Sequence, residues 1–190
     1  MGMALDPEWV IDMVDTYAEL TINLMEILFA EEGKPDGVWF SGDMGFKHRP
    51  FISPNMYKEI IQRGHIRTID FCHSQGLPVI MHSCGFIEPL LPGMIEAGID
   101  CLQAMEVKAG MDLLRLYKNY GDKISFCGGM DTRNLIANDL DAVKAELQEK
   151  VPIVKEGFGY ILQSDHSIPD TCNYDTYRTF VEEGLRLGTY

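Results

Sequence analysis

A histidine and a cysteine two residues apart, His82 and Cys84, form the most specific chemical pattern in the chain. Residues two apart on an extended segment point to the same side, so the imidazole and the thiolate could bind one cation. Zinc accepts both ligand types, and a catalytic zinc typically keeps three protein ligands and one open position. The pair therefore predicts a metal site, with a hydrogen-bonded histidine beside a buried thiol as the alternative.

A third ligand would have to come from another strand end, where His166 and Asp165 are the candidates. Three further acids, Asp43, Glu106 and Asp131, also follow predicted strands. We expect these three to line the same cavity, where carboxylates can orient a substrate or carry protons. As isolated acids they could equally be helix caps or turn residues, or, for Glu106, a solvated loop carboxylate.

The elements that must hold these residues alternate between helix and strand along the chain. Apolar residues at helical spacing predict helices over residues 7–30, 53–74, 87–97, 111–120, 139–155 and 174–187. Short apolar runs between them predict strands over residues 37–41, 77–82, 99–103, 123–127 and 159–163. Such alternation implies parallel βαβ units, whose active sites lie at the carboxyl ends of the strands.

Two architectures fit this α/β pattern: an open doubly wound sheet, or part of a (β/α)8 barrel. No Gly-x-Gly-x-x-Gly follows the first predicted strand, which removes the best argument for a dinucleotide-binding fold. Hydrophobic periodicity alone leaves both architectures open.

Composition restricts the class of protein. A chain of 190 residues can bury the core of one domain, and its formal net charge of -13 argues against a nucleic-acid-binding surface. The amino terminus lacks the pattern of a signal peptide, and no apolar run approaches the roughly 20 residues of a membrane helix. The five cysteines are odd in number and show no disulfide-framework spacing, which favours reduced thiols. We therefore expect a cytoplasmic protein.

Longer motifs occur in order along the whole chain. They include Ser41-Gly-Asp-Met-Gly45, Arg49-Pro-Phe-Ile-Ser-Pro54, His82-Ser-Cys-Gly85, Gly128-Gly-Met-Asp131 and Ser164-Asp-His-Ser-Ile-Pro169. Together they resemble the uroporphyrinogen decarboxylase (URO-D) superfamily. The resemblance implies a (β/α)8 TIM barrel, of which this chain carries about five β/α units.

The resemblance also implies how the domain is organised. Residues 1–190 would form a single URO-D-like domain that corresponds to the carboxyl-terminal part of the family barrel, with the amino-terminal part missing. Five strands cannot close a barrel by themselves, and an exposed parallel edge invites association. We therefore expect a homo-oligomer, or completion of the barrel by another chain.

Within the superfamily, the motifs are closest to those of the cobalamin-dependent methyltransferases. In those enzymes a His-x-Cys pair and a later cysteine hold a zinc ion that activates a thiol or another methyl donor or acceptor. His82 and Cys84 match the pair, and His166 stands at the position of the later cysteine. The resemblance thus implies a zinc site of His82, Cys84 and His166. It also implies methyl transfer between a small molecule and the corrinoid of a partner protein.

Two other functions stay open at this stage. Uroporphyrinogen decarboxylases use no metal and stabilise a tetrapyrrole with arginines and an aspartate from the amino-terminal part. This chain lacks that part, and Arg49 and Arg133 are the arginines near its predicted strand ends. The decarboxylase pattern also lacks a His-x-Cys-Gly sequence after the matching strand. Alternatively, the chain could be a non-catalytic half-barrel subunit or a fragment.

Overall fold

The computed structural model describes residues 2–157 and 159–189, and parallel strands form its centre. The strands are β1 (Val38–Ser41), β2 (Gly45–Phe46), β3 (Arg49–Pro50), β4 (Val79–Ser83), β5 (Cys101–Ala104), β6 (Ser125–Gly128) and β7 (Tyr160–Ile161). β1, β4, β5, β6 and β7 form one parallel sheet in that order, and β2 and β3 form an antiparallel hairpin. The five predicted strands are thus confirmed, whereas the hairpin was not predicted.

Helices connect the strands of the sheet. They are α1 (Gly2–Leu5), α2 (Pro7–Glu32), α3 (Pro54–Met56), α4 (Gln62–Ser74), α5 (Leu91–Glu96), α6 (Leu113–Tyr120), α7 (Thr132–Ile136), α8 (Leu140–Val154) and α9 (Tyr174–Gly188). A π-helical turn over Tyr57–Ile61 joins α3 to α4. The predicted helices are confirmed, and α1 and α7 are additions. Within residues 2–157 and 159–189, none of the helices has the length and hydrophobicity that crossing a bilayer requires.

Strand order distinguishes the two architectures that the sequence left open. A doubly wound sheet reverses its strand order at a switch point, whereas the strands of this sheet follow one another in chain order. The helices cover one face, on which Met81, Leu102 and Phe126 are buried. On the other face, Trp39 is 51% exposed and Ile161 is 50% exposed. This one-directional winding is that of a (β/α) barrel segment.

In-register pairing sets polar residues of neighbouring strands side by side. Ser41 pairs with His82, and His82 pairs with Gln103 on the next strand. Gln103 in turn pairs with Cys127. Because paired residues of parallel strands project to the same sheet face, one row of polar side chains crosses four strands near their carboxyl ends.

Local sequence signals begin the helices that flank this row. Ser53 accepts a hydrogen bond from the Met56 N–H at 3.2 Å, and Pro54 is the first helical residue. Asn173 caps α9 in the same way through the Thr176 N–H at 2.8 Å. Side-chain caps satisfy backbone donors that a helix start leaves unpaired, which is why these helices begin where the sequence predicts.

A buried carboxylate ties together the loops that follow three strands. Asp165 follows β7, is 1% exposed, and accepts hydrogen bonds from the N–H groups of Val107 (2.8 Å) and Thr132 (2.9 Å). The Thr132 hydroxyl donates another bond to the same carboxylate. Val107 follows β5 and Thr132 follows β6. One side chain thus holds three neighbouring loops at the carboxyl edge of the sheet.

Two sheet edges and one helix face are open. Neither β1 nor β7 pairs with a further strand on its outer side within the described residues. α2 presents large apolar side chains that are each more than half exposed: Trp9, Met13, Tyr17, Leu20, Leu24, Ile27 and Leu28. An exposed apolar helix face and strand edges without a partner are typical of an interface.

Replacing Asp165 with asparagine should destabilise the fold. An amide NH2 group would replace one carboxylate oxygen, and this group cannot accept the hydrogen bonds that the oxygen accepts. We expect the free energy of unfolding in urea to fall by about 3 kcal/mol in D165N. D170N, at an exposed aspartate of the same loop, is the matched control and should change it by less than about 0.5 kcal/mol. A D165N protein as stable as the wild type would contradict this role for Asp165.

Candidate metal centre

Three potential ligands from two adjacent strand ends meet at the carboxyl edge of the sheet. Asp43 follows β1, and His82 and Cys84 lie at the end of β4. Their ligand atoms all lie within 4.8 Å of one another. His82 Nε2 is 3.4 Å from Cys84 Sγ and 3.3 Å from Asp43 Oδ1. The imidazole and the thiol thus lie on one side of the strand end, as predicted. The Asp43 carboxylate lies beside them, although the sequence predicted it only as a residue of the cavity wall.

Asp43 is held over the pair by a backbone contact. Its Oδ1 accepts a hydrogen bond from the Cys84 N–H at 2.9 Å. The Asp43 side chain is 57% exposed and that of His82 is 21% exposed. The cluster is therefore half open, with a partly buried imidazole and an accessible carboxylate.

A hydrogen bond sets the orientation of the His82 ring. His82 Nδ1 bonds to Gln103 Oε1 on β5. Gln103 donates from Nε2 to Gln163 Oε1 at 2.6 Å, so its oxygen is the atom that faces His82. Metal-binding histidines are commonly oriented in this way by a second partner.

The thiol of Cys84 is not activated by its surroundings alone. Burial, and then the charges of Asp43 and Glu106, raise the pKa of Cys84 to about 11. At neutral pH the side chain therefore keeps its proton, and Cys84 is a poor nucleophile in the absence of a cation. A divalent ion would favour the thiolate, so metal binding would release this proton.

Two contacts hold the turn that follows Cys84. Glu106 Oε2 accepts a hydrogen bond from the Gly85 N–H at 2.7 Å, and Glu106 Oε1 pairs with Lys108 at 3.2 Å. Gly85 has a φ of +79° and packs on Gly45, where a Cβ on either residue would lie within 2.6 Å of backbone atoms. Only glycine fits such a close approach. Glu106 thus supports the backbone of the turn and lies outside the ligand cluster.

The cluster opens into a cavity of about 700 Å³. His82, Cys84, His166 and Tyr177 are among the residues that line it. His166 is exposed and lies outside the three residues whose ligand atoms converge. The structure therefore places His166 beside the predicted pair, at the wall of the same cavity.

The remaining acids bind the backbone and a neighbouring side chain. Asp131 caps α7 through the Arg133 N–H at 2.9 Å and pairs with the Arg133 guanidinium at 2.7 Å. Asp131 lines a neighbouring cavity of about 360 Å³ and not the one beside His82, which differs from the expectation. The helix-cap alternative is confirmed for Asp131. Asp165, the other candidate for a third ligand, has both oxygens engaged by donors of two loops.

Three residues of the site, Gln103, Gln163 and Tyr177, were not predicted from the sequence. Gln103 and Gln163 end two predicted apolar strands, and a polar residue at such a position was the available signal. Their contact with His82 depends on which strands are neighbours, which a single sequence does not show. Tyr177 reaches the cavity from α9 through tertiary packing alone.

Comparison with known proteins bears on the family. A family model described as uroporphyrinogen decarboxylase (URO-D) matches residues 3–185. No curated protein matches the chain. Among solved structures, the chain is similar to a crystal structure of a Xaa-Pro dipeptidase with bound methionine in the active site, with 14% sequence identity and a TM-score of 0.41. The match covers 80% of this chain and only 40% of that protein, and a likeness so distant carries no argument.

The URO-D match spans nearly the whole chain. The TIM barrel of that family also agrees with a parallel sheet whose strands follow one another in chain order. The family that the order of the motifs predicted is therefore confirmed: the chain belongs to the uroporphyrinogen decarboxylase family.

Proposed function

We propose that this protein binds a divalent metal ion, most simply zinc, at Asp43, His82 and Cys84 and uses it in methyl transfer. The methyl group would pass between a small molecule and the corrinoid of a separate protein, as in the methyltransferases that the motifs resemble. The convergence of one oxygen, one nitrogen and one sulfur ligand carries this proposal. Family membership alone supports only the coarser statement, because members include both decarboxylases and methyltransferases.

The two separations from the His82 nitrogen fit a tetrahedral zinc site, and all three ligand atoms lie within 4.8 Å of one another. At metal–ligand distances of about 2.0–2.3 Å, two tetrahedral ligands lie roughly 3.3–3.6 Å apart. The separations from His82 Nε2 are 3.4 Å to Cys84 Sγ and 3.3 Å to Asp43 Oδ1. Three protein ligands leave a fourth position for substrate, and the adjoining cavity has room for a small molecule.

The chain's own side chains would bind the substrate and manage its proton. A zinc ion at the cluster supplies Lewis acidity, which lowers the pKa of a bound thiol or polarises an ether oxygen. His166 and Tyr177 line the cavity, where either can contact substrate and His166 can accept the proton of a thiol. Glu106 keeps Cys84 in place through the Gly85 N–H.

Tetrapyrrole decarboxylation has weaker support. Such an enzyme needs cationic side chains for the carboxylates of its substrate. Arg133 is paired with Asp131, and Arg49 lines a separate small cavity in the hairpin. Among the residues that the structure describes, no arginine lines the cavity beside His82.

We also propose that another chain, or a second copy of this one, covers the open side of the barrel segment. A TIM barrel closes with eight strands, and the sheet described here has five. The unpaired edges of β1 and β7, the half-exposed Trp39 and Ile161, and the apolar face of α2 support this proposal.

We expect the purified protein to contain about one zinc ion per chain, and C84S to lose it, because a serine hydroxyl does not ionise at neutral pH. The measurement is elemental analysis after purification without a chelator or an affinity metal. C172S, at a half-buried cysteine after β7, is the matched control and should keep its zinc. Full occupancy in C84S would refute the assignment.

Zinc affinity identifies the third ligand. We expect D43N to weaken zinc binding more than about tenfold and H166Q by less than about threefold, because Asp43 converges with the pair and His166 does not. Competition with a chromophoric chelator gives both values. The opposite order would restore His166, the ligand that the motifs imply, in place of Asp43.

The association state of the protein tests whether another chain covers the open side of the barrel segment. We expect light scattering to give a mass above the 21.5 kDa of one chain, or a co-purifying chain. Replacing Leu20 and Leu24 of the apolar α2 face with lysine should reduce the association, whereas E19K on the same helix should not. A wild-type protein that stays a monodisperse monomer would contradict the proposal.

A further inference from the structure

Four side chains from neighbouring strand ends form one continuous row of hydrogen bonds. His82 contacts Gln103 on the next strand. Gln103 Nε2 lies 2.6 Å from Gln163 Oε1, and Cys127 Sγ lies 3.4 Å from the same oxygen. The row follows the strand pairing, in which His82 is opposite Gln103 and Gln103 is opposite Cys127.

The donors and acceptors of this row favour one direction. Burial raises the pKa of Cys127 to about 11, so its thiol keeps a proton and donates it. Gln163 Oε1 is then the shared acceptor of the Cys127 S–H and the Gln103 amide N–H. This leaves the Gln103 oxygen for His82, and an amide oxygen accepts a hydrogen bond only from a protonated Nδ1.

Reversing the row would weaken its buried contacts and leave the proton of the Cys127 thiol without its acceptor. If the Gln103 amide turned over, its oxygen would face Gln163 Oε1, and two acceptors would be in contact. Turning Gln163 as well would remove the acceptor of the Cys127 thiol. Gln103 is 7% exposed and Cys127 is 3% exposed, so water cannot easily replace the lost contacts.

We infer that Gln103, itself held by Gln163, is a positioning residue that selects the Nδ1–H tautomer of His82 and so directs the Nε2 lone pair at the Cys84–Asp43 cluster. The purpose of this arrangement rests on the proposed metal site. The tautomer itself is a property of the metal-free protein, because each contact in the row is made by the chain alone. In that state the Cys84 thiol, 3.4 Å from Nε2, can donate to the lone pair, whereas the Asp43 carboxylate, 3.3 Å from Nε2, opposes the row by accepting from an Nε2–H group.

Long-range ¹H–¹⁵N NMR of the metal-free protein, at a pH where His82 is neutral, measures the tautomer directly. We expect the Nδ1–H form of His82 in the wild type, with the signals assigned by comparison with H82Q. Q103M keeps the approximate volume but removes the acceptor, so the Nε2–H form should appear. Q103E keeps an acceptor and should restore the Nδ1–H form.

Two further variants complete the experiment. Q163M should also populate the Nε2–H form, because it frees the Gln103 amide, and it serves as the test if Q103M does not fold. Q148M, at an exposed glutamine on α8, is the control and should leave His82 unchanged. An Nε2–H form in the wild type, or an unchanged Nδ1–H form in both Q103M and Q163M, would overturn the inference.

Zinc affinity is the second readout and separates this inference from the proposed function. We expect Q103M to bind zinc about 10–100-fold more weakly than the wild type, and Q103E to recover that loss. A wild type in the Nδ1–H form that binds no zinc would overturn the proposed function and leave the positioning role of Gln103 intact. Zinc binding with His82 in the Nε2–H form would do the reverse.

Discussion

The hydrogen bond between His82 Nδ1 and Gln103 Oε1 is the contact on which the candidate metal centre depends. It forms because β4 and β5 pair with His82 opposite Gln103. It turns Nε2 toward Cys84 and Asp43, the two other potential ligands. A shift of one residue in the pairing would move His82 to the other sheet face and remove the central ligand. The helices pack on the sheet face opposite to His82 and stabilise this pairing. Their packing therefore also determines the chemistry of the site.

The acids at the strand ends serve this arrangement mainly as anchors for backbone. Asp43 accepts the Cys84 N–H, and Glu106 accepts the Gly85 N–H, so β1 and β5 both hold the turn after β4. Asp165 holds the loops after β5 and β6 in the same manner. Bonds to an ionised acceptor are stronger than bonds between neutral groups. These bonds hold the loops at the carboxyl edge of the sheet in place around the half-open cluster.

Patterns within the chain predicted the five strands, the helices between them and the His82–Cys84 pair, because alternation and spacing are local properties. The convergence of Asp43 with the pair was not predicted, since the Asp43 carboxylate reaches His82 and Cys84 only when β1 lies beside β4. The role of Gln103 was missed for the same reason: it depends on which strands are neighbours. Asp131 caps α7, which is the alternative that the sequence offered for an acid after a strand. Hydrophobic periodicity did not distinguish a doubly wound sheet from a (β/α) barrel. The order of the motifs did, because it indicated the family.

The central claim is that one sulfur from Cys84 and lighter atoms from His82 and Asp43 bind the same metal ion. X-ray absorption spectroscopy at the zinc edge of the metal-loaded protein tests it most directly. The account requires one sulfur at about 2.3 Å and the remaining ligands, nitrogen and oxygen, at about 2.0–2.2 Å. A zinc site with no sulfur, or with two or more, would contradict it.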